Sequence, residues 1–186
     1  MKRRSYLKGI IGLGTAFILS PIACDTKGNE LTSMEIERLI AAMADSILPE
    51  TDTPGAIQAG VPTFIMETWQ HYLSGKNKEA FLNGLIRTES YSRDSYNRSF
   101  SQCPMDVRNT ILTYLESKET YRFAILNKIR NRFFGPSFIG LFKQLTVQGY
   151  CTSHAGATKA LRYDAVPGHY ESCVLMAENT RSWATK

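Results

Sequence analysis

The feature that most constrains this fold is the spacing of its apolar residues, which recur every three or four positions along most of the chain. Thr32 with Glu35 three residues later is a capping-box signature, so a helix is predicted to start there and to end at Pro49. Its apolar stripe consists of Ile36, Leu39, Ile40, Met43 and Ile47. Strands require alternation with a period of two, which is almost absent. The spacing therefore predicts an all-α protein.

Four more helices follow from the same spacing. The second starts at Pro62, because the first helical position tolerates proline, and the third covers residues 77–99. The fourth opens at Pro104 and Asp106, and the fifth runs from about Glu119 through Phe133 and resumes over residues 137–145. The inward residues of the fourth helix are Val107, Ile111, Leu112 and Leu115. We expect an irregular helical bundle.

Two segments lack this periodicity. Residues 50–61 contain one proline, two glycines and two threonines and are flanked by Pro49 and Pro62, which is typical of a loop. Residues 150–186 form an extended, mostly non-helical C-terminal tail with one short helical candidate at 157–161. The tail has too little periodic apolar surface for a core of its own, so we expect it to lie against both the bundle and a partner.

The N-terminus resembles a twin-arginine export signal. The paired arginines are Arg3 and Arg4, and Tyr6, Leu7 and Lys8 follow, ahead of an apolar stretch over residues 9–23. That stretch has 15 residues, whereas a bilayer-spanning helix needs about 20. A transmembrane helix or a first core helix is the alternative. The signal reading predicts export of a folded protein to the periplasm.

Cys24 follows Ile22 and Ala23, as a lipoprotein acylation site would. Lipidation would anchor the protein in a membrane through a polar tether at residues 24–32, ahead of a single domain at 33–186. The alternative is an ordinary signal cleaved near Ala23. Residues 1–23 hold four basic residues and no acid, so their removal lowers the formal charge from +5 to +1. No nucleic-acid-binding character remains.

Two blocks of sequence carry a family resemblance. The first reads DSILPETDTPGA at 45–56 and AGVP at 59–62. The second includes FKQLT at 142–146, GY at 149–150, TS at 152–153, Gly156, Tyr163 and VPGHYESC at 166–173. Together they resemble the gluconate 2-dehydrogenase subunit 3 family over roughly residues 33–175.

The resemblance implies a small accessory subunit of an FAD-dependent sugar or alcohol dehydrogenase. In that family the flavin sits in a separate large subunit, a cytochrome c subunit often accepts the electrons, and the small subunit commonly carries the export signal. No cofactor is expected in this chain. The candidate partner contacts lie in the loop and the tail: Pro49, Thr51, Asp52, Pro54, Gly55, Gly60, Pro62, Tyr150, Tyr163, Pro167, Gly168 and Tyr170.

The sequence contains no recognisable catalytic or cofactor-binding motif. It has no dinucleotide fingerprint, haem-attachment motif or Walker loop. His71, His154 and His169 lack the spacing of paired metal ligands and are interpreted as surface or interface residues. Glu50 and Asp52 are expected to cap the following turn rather than to act as an acid–base pair. The sequence analysis therefore predicts no catalytic, cofactor-binding or metal-binding residues.

The cysteines that remain after Cys24 are Cys103, Cys151 and Cys173. An oxidising compartment favours disulfides, and Cys151 and Cys173 are the better candidates because both lie in the predicted tail. Because three is an odd number, the remaining thiol either stays free or bridges to another chain. Three unpaired thiols are the alternative.

Two function classes stay open. One is an escort and interaction subunit of a flavin dehydrogenase, and the other is a free-standing helical envelope lipoprotein that binds a ligand or partner. An enzyme in its own right is the least favoured.

Overall fold

The computed structural model describes residues 31–119, 137–166, 168, 173, 175 and 180–184. The predicted export signal, the predicted lipidation site Cys24 and most of the predicted fifth helix lie outside these residues, as do Pro167 and Tyr170. Within them the chain forms α1 (Ser33–Ile47), α2 (Val61–Glu67), α3 (Gly75–Tyr96), α4 (Met105–Glu119) and α5 (Phe138–Thr152). A π-helical turn at Thr68–Tyr72 continues α2, and shorter turns lie at Phe100–Gln102 and Gly156–Ala160. No strand occurs in this part of the chain, and the all-α prediction is confirmed.

The capping box that predicted α1 is present. The Thr32 backbone N–H donates to the Glu35 carboxylate at 2.8 Å, and the Glu35 N–H donates to Thr32 Oγ1 at 3.3 Å. The bond from the Thr32 backbone is the largest cause that holds the pKa of Glu35 below its usual value, with a further contribution from nearby Arg93. Cap and apolar stripe therefore agree on where the helix starts and which face it buries.

The core lies where α1, α3 and α5 meet. Phe81 and Phe142 are fully buried and nearly parallel, with ring centroids 6.0 Å apart, and Phe138 meets Phe81 edge-on at 5.4 Å. Gly84 faces Phe138 so closely that a Cβ would lie 2.1 Å from the ring. The absence of a side chain at 84 therefore lets α5 pack directly on α3.

Among the described residues, two carboxylates are buried, and each accepts a backbone N–H where a new element begins. Glu119 accepts from Ile139 N at 3.0 Å and from the Arg87 guanidinium, and it thereby caps the start of α5. Glu89 accepts from Phe100 N at 3.1 Å and from Arg93 Nε at 2.7 Å. A buried carboxylate is tolerated when it is paired in this way, so both residues fix loop geometry.

Three helix boundaries differ from the sequence predictions. α3 covers Gly75–Tyr96 rather than 77–99, and it ends at Asn97, whose φ of 52° breaks the helix. Glu119 belongs to α4 and was wrongly expected to start another helix. α5 continues to Thr152, well beyond the predicted end at Leu145. Gly149 lies within the helix and does not end it. A Cβ at this position would lie 2.6 Å from the Phe64 ring, so the glycine allows close packing against α2.

Candidate partner-binding surface

The segment from Pro49 to Gly60, here called the proline loop, is an ordered structure. Ala56 N donates to Leu48 O at 2.8 Å, and Val61 N donates to Ala56 O at 3.0 Å, which ties both ends to helices. Ala56 is fully buried. A Cβ on Gly55 would lie 2.7 Å from the Glu50 backbone nitrogen, so this close turn requires glycine. The loop is therefore a fixed surface feature.

Threonines rather than acids close the tip of the proline loop. Thr51 N donates to Thr53 O at 3.1 Å, and the Thr53 N–H points to Thr51 Oγ1 at 3.5 Å. Glu50 and Asp52, which were expected to cap this turn, are exposed and make no hydrogen bond within the described residues. That expectation was wrong because the threonine hydroxyls are nearer to the backbone groups of the turn.

The proline loop rests on the C-terminal half of α5. The Tyr150 hydroxyl donates to the Pro54 carbonyl at 2.7 Å, across 96 positions of sequence. One residue earlier, Gly149 lies against Phe64 of α2. A single site therefore contains residues from both ends of the domain. The sequence analysis assigned Tyr150 to the non-helical tail, but the residue belongs to α5.

The outer face of α5 carries little charge. The one charged residue of the helix, Lys143, is partly exposed and pairs with Glu116 of α4 at 2.7 Å. Every exposed residue of this helix is uncharged, namely Gly140, Gln144, Val147, Gln148 and Thr152. Each of the other four described α-helices exposes at least one charged side chain. Val147 is half exposed and lies one turn before Tyr150, whose hydroxyl contacts the proline loop. Depletion of charge is typical of the core of a protein–protein interface.

The C-terminal segment continues from this surface. The π-helical turn at Gly156–Ala160 begins where Ser153 Oγ accepts from Gly156 N at 3.0 Å. Arg162 N then donates to Ser182 O at 2.8 Å, Ala184 N donates to Arg162 O at 2.9 Å, and the Arg162 guanidinium lies 4.2 Å from the Trp183 ring centroid. A backbone pair and a cation–π contact thus join two distant parts of the tail.

After residue 160, the described part of the tail does not pack on the bundle. After residue 160 every described residue is exposed except Leu161 and Ala184, which are partly buried. Its large apolar side chains stand in solvent: Tyr163, Val166, Leu175 and Trp183 are between 51% and 98% exposed. The expectation that the tail would lie against the bundle is wrong for these residues, because nearly all of them are exposed. Large apolar side chains that stay in solvent are candidates for an interaction surface.

The sequence-predicted contact residues fall into two groups. Pro49, Thr51, Asp52 and Gly60 are exposed on the proline loop, as Tyr163 and Gly168 are in the tail. Pro54, Pro62 and Tyr150 are partly buried, and Gly55 is buried. These four residues therefore support the surface from below rather than being available for contact with a partner. Sequence reasoning missed the nearly uncharged face of α5, although spacing of three and four from Gln144 could have found it.

The three described cysteines are free thiols. Cys103 is buried 3.4 Å from Ser92 Oγ, Cys151 lies in the last turn of α5, and Cys173 is exposed. The placement of Cys151 in a non-helical tail was therefore wrong, and the bridge expected between Cys151 and Cys173 is not formed. No cluster of three potential metal ligands and no helix fit to cross a membrane occurs among the described residues.

Comparison with known protein families shows the family to which this chain belongs. A family model described as gluconate 2-dehydrogenase subunit 3 matches residues 35–168, which is well over half of the chain. The chain belongs to the gluconate 2-dehydrogenase subunit 3 family. Searches of the curated proteins and of the solved structures find no match. The family name is that of one subunit of a gluconate dehydrogenase complex.

In this member of the gluconate 2-dehydrogenase subunit 3 family, the two sequence blocks that carry the resemblance meet in space. The proline loop supplies the first, and α5 with the start of the tail supplies the second, joined at Pro54 and Tyr150. Trp183 lies beyond the matched range, so its pairing with Arg162 adds to what the family model covers.

Replacing Tyr150 with phenylalanine should lower the free energy of unfolding by about 0.5–1.5 kcal/mol, because the Pro54 carbonyl loses its donor. Denaturant titration measures this loss. Tyr114→Phe is the matched control, since that ring stacks on Tyr91 and is partly exposed. Equal stabilities of the two variants would mean that the hydroxyl contributes nothing to holding the proline loop on α5.

Proposed function

We propose that this chain is the non-catalytic small subunit that escorts, stabilises and exports an FAD-dependent sugar or alcohol dehydrogenase. The observation that carries the proposal is the family match over residues 35–168. The flavin belongs to the large partner subunit, and a cytochrome c subunit is the natural electron acceptor of such a complex. The complex is exported by the twin-arginine route to the periplasm, where lipidated Cys24 anchors it to a membrane.

Three neighbouring features support a docking role. The proline loop is rigid, the outer face of α5 carries little charge beside it, and the tail presents large apolar side chains. A pre-formed surface binds with a smaller entropic cost than one that must first be ordered. Permanent subunit interfaces are also more apolar than ordinary protein surface. We therefore place the large subunit on the proline loop, α5 and the tail.

The export role follows from the chemistry of the partner. A flavoprotein must fold around FAD before it leaves the compartment that supplies the cofactor, and the twin-arginine route carries folded proteins. Arg3 and Arg4 are part of the matching signal. The small subunit then provides the address for both chains.

Affinity purification of the exported chain, followed by mass identification and a flavin absorbance spectrum of the retained material, tests the proposal. We expect a large flavoprotein to be retained and the isolated chain to be colourless and unable to reduce a dye with any sugar. Flavin or haem absorbance in the isolated chain would contradict the non-catalytic assignment. Retention of no flavoprotein would favour the free-standing envelope lipoprotein instead.

Val147→Glu tests where the partner binds. A charge placed on the nearly uncharged face of α5 should weaken binding of the large subunit at least about tenfold, which corresponds to 1.4 kcal/mol, because the carboxylate would be desolvated in the interface. Thr113→Glu, on the exposed side of α4, is the matched control. Circular dichroism should remain that of a helical protein in both. If the two variants bind equally well, α5 is not part of the interface.

A further inference from the structure

Three contacts of Arg162 join two distant parts of the C-terminal tail. The Arg162 N–H donates to the Ser182 carbonyl at 2.8 Å, and the Ala184 N–H donates to the Arg162 carbonyl at 2.9 Å, so the two short segments pair in parallel. The Arg162 guanidinium lies 4.2 Å from the centroid of the Trp183 ring, which is within the range of a cation–π contact. We call residues 161–163 and 182–184 the tail clasp.

The first arm of the tail clasp is anchored to α5 through the turn that precedes it. Leu161 N donates to Gly156 O at 2.9 Å, and Gly156 N donates to Ser153 Oγ at 3.0 Å, directly after the end of the helix. Gly156 is buried, and a Cβ there would lie 2.0 Å from the Tyr150 carbonyl oxygen. The turn therefore sits closely on the end of α5, and it holds Arg162 near that end of the helix.

The second arm of the tail clasp depends on the first. Among the described residues, the hydrogen bonds and the ring contact made by residues 182–184 are all with Arg162. Twenty residues separate Arg162 from Trp183 along the chain. A flexible chain of that length would place its ends about 25 Å apart on average. Without the clasp, these contacts would not fix the place of Trp183 relative to α5.

Trp183 is suited to contact a protein partner. Its side chain is 51% exposed even though Arg162 lies against the ring, so about half of its surface stays available. Tryptophan is enriched among the few residues that dominate the energy of protein interfaces. A side chain that is already held in place loses less conformational entropy when a partner binds it. The contact with Arg162 therefore prepares Trp183 for binding.

We propose that the tail clasp is a positioning device in which Arg162 fixes Trp183 as a contact for the large subunit. This inference rests on the proposed function, because the partner is the same flavoprotein. Trp183 lies outside residues 35–168, the range that the family model matches, so its contact adds to the surface that the family model covers. Trp183 touches the partner, and Arg162 acts through Trp183.

Fluorescence of the free full chain tests whether the clasp is closed. The chain has two tryptophans, so Trp69→Phe leaves Trp183 as the only one. In that background Ala184→Pro removes the N–H that donates to Arg162, and Ala184→Ser keeps it as the matched control. The loss of one hydrogen bond should lower the ratio of closed to open clasp about two- to tenfold. We therefore expect acrylamide to quench Trp183 more strongly in the proline variant. Equal quenching would show that the clasp is open in the free chain and would overturn the proposal.

Binding of the flavoprotein that the parent chain retains tests what the clasp does. Ala184→Pro should raise its apparent Kd about two- to tenfold over Ala184→Ser. Arg162→Gln should raise it about two- to fivefold, the value of an exposed cation–π contact, although the Trp183 side chain is unchanged. Arg181→Gln removes the same charge from an exposed position two residues before Trp183 and is the matched control.

The outcomes separate this inference from the proposed function. If the parent chain retains a flavoprotein and either Ala184→Pro or Arg162→Gln binds it as tightly as its control, the clasp does not position Trp183 and the inference is wrong. If the parent chain retains no flavoprotein, the proposed function itself fails and this inference fails with it. Weaker binding by both variants, together with stronger quenching of Trp183, would support the clasp as a positioning device.

Discussion

Changing Arg3 and Arg4 together to lysine should leave this chain and its dehydrogenase partner assembled in the cytoplasm, with dehydrogenase activity almost absent from the cell envelope. Lysine preserves the charge but not the planar, five-donor fork of arginine, so a receptor that reads the paired guanidiniums loses its contacts. Cell fractionation, with activity followed in both compartments, measures the effect. Because the folded partner carries no matching address in this proposal, both proteins should be retained together.

The control for this experiment is Lys8→Arg, which keeps the positive charge outside the arginine pair. It should leave export intact. If the double variant retains this chain but dehydrogenase activity still reaches the envelope, the partner travels independently and the escort role is wrong. If both still reach the envelope, the N-terminus is not a twin-arginine signal.

Phe142→Ala should lower the free energy of unfolding by about 3–5 kcal/mol, because truncation of a buried aromatic side chain removes its transfer energy and leaves a cavity. Phe142 is completely buried and lies beside Phe81 and Phe138. Small domains are stable by only about 5–15 kcal/mol, so this loss would unfold a large share of the molecules at moderate temperature. Denaturant or thermal unfolding measures it.

Val147→Ala is the matched control on the same helix, since Val147 is half exposed and should lose less than about 1 kcal/mol. Partner binding should fall with Phe142→Ala as well, because α5 supports Tyr150 and the proline loop. A small loss of stability in Phe142→Ala would indicate that the aromatic core repacks around the deleted ring.

The burial of two carboxylates could not be predicted from the sequence. Glu89 and Glu119 occur in polar stretches and read as ordinary surface acids, yet both are buried and accept backbone N–H groups. Their burial depends on which loop returns to them in three dimensions, and no local spacing contains that information. A polar cleft lined by Glu35, Arg38, Arg93 and Arg98 has the same origin, because residues near 35 and residues near 98 meet only when α1 packs beside the end of α3.

The sequence by itself determined the local structure and the family. Thr32 and Glu35 fixed the start of α1, Pro49 marked the loop after it, and Pro62 marked the second helix, since caps and breakers act within a few residues. Only the tertiary structure decided that α5 continues through Gly149, that Tyr150 holds Pro54, and that Arg162 meets Trp183. These contacts join residues 21 to 96 positions apart or a glycine to a ring on another helix, and they form because packing, rather than local propensity, selects them.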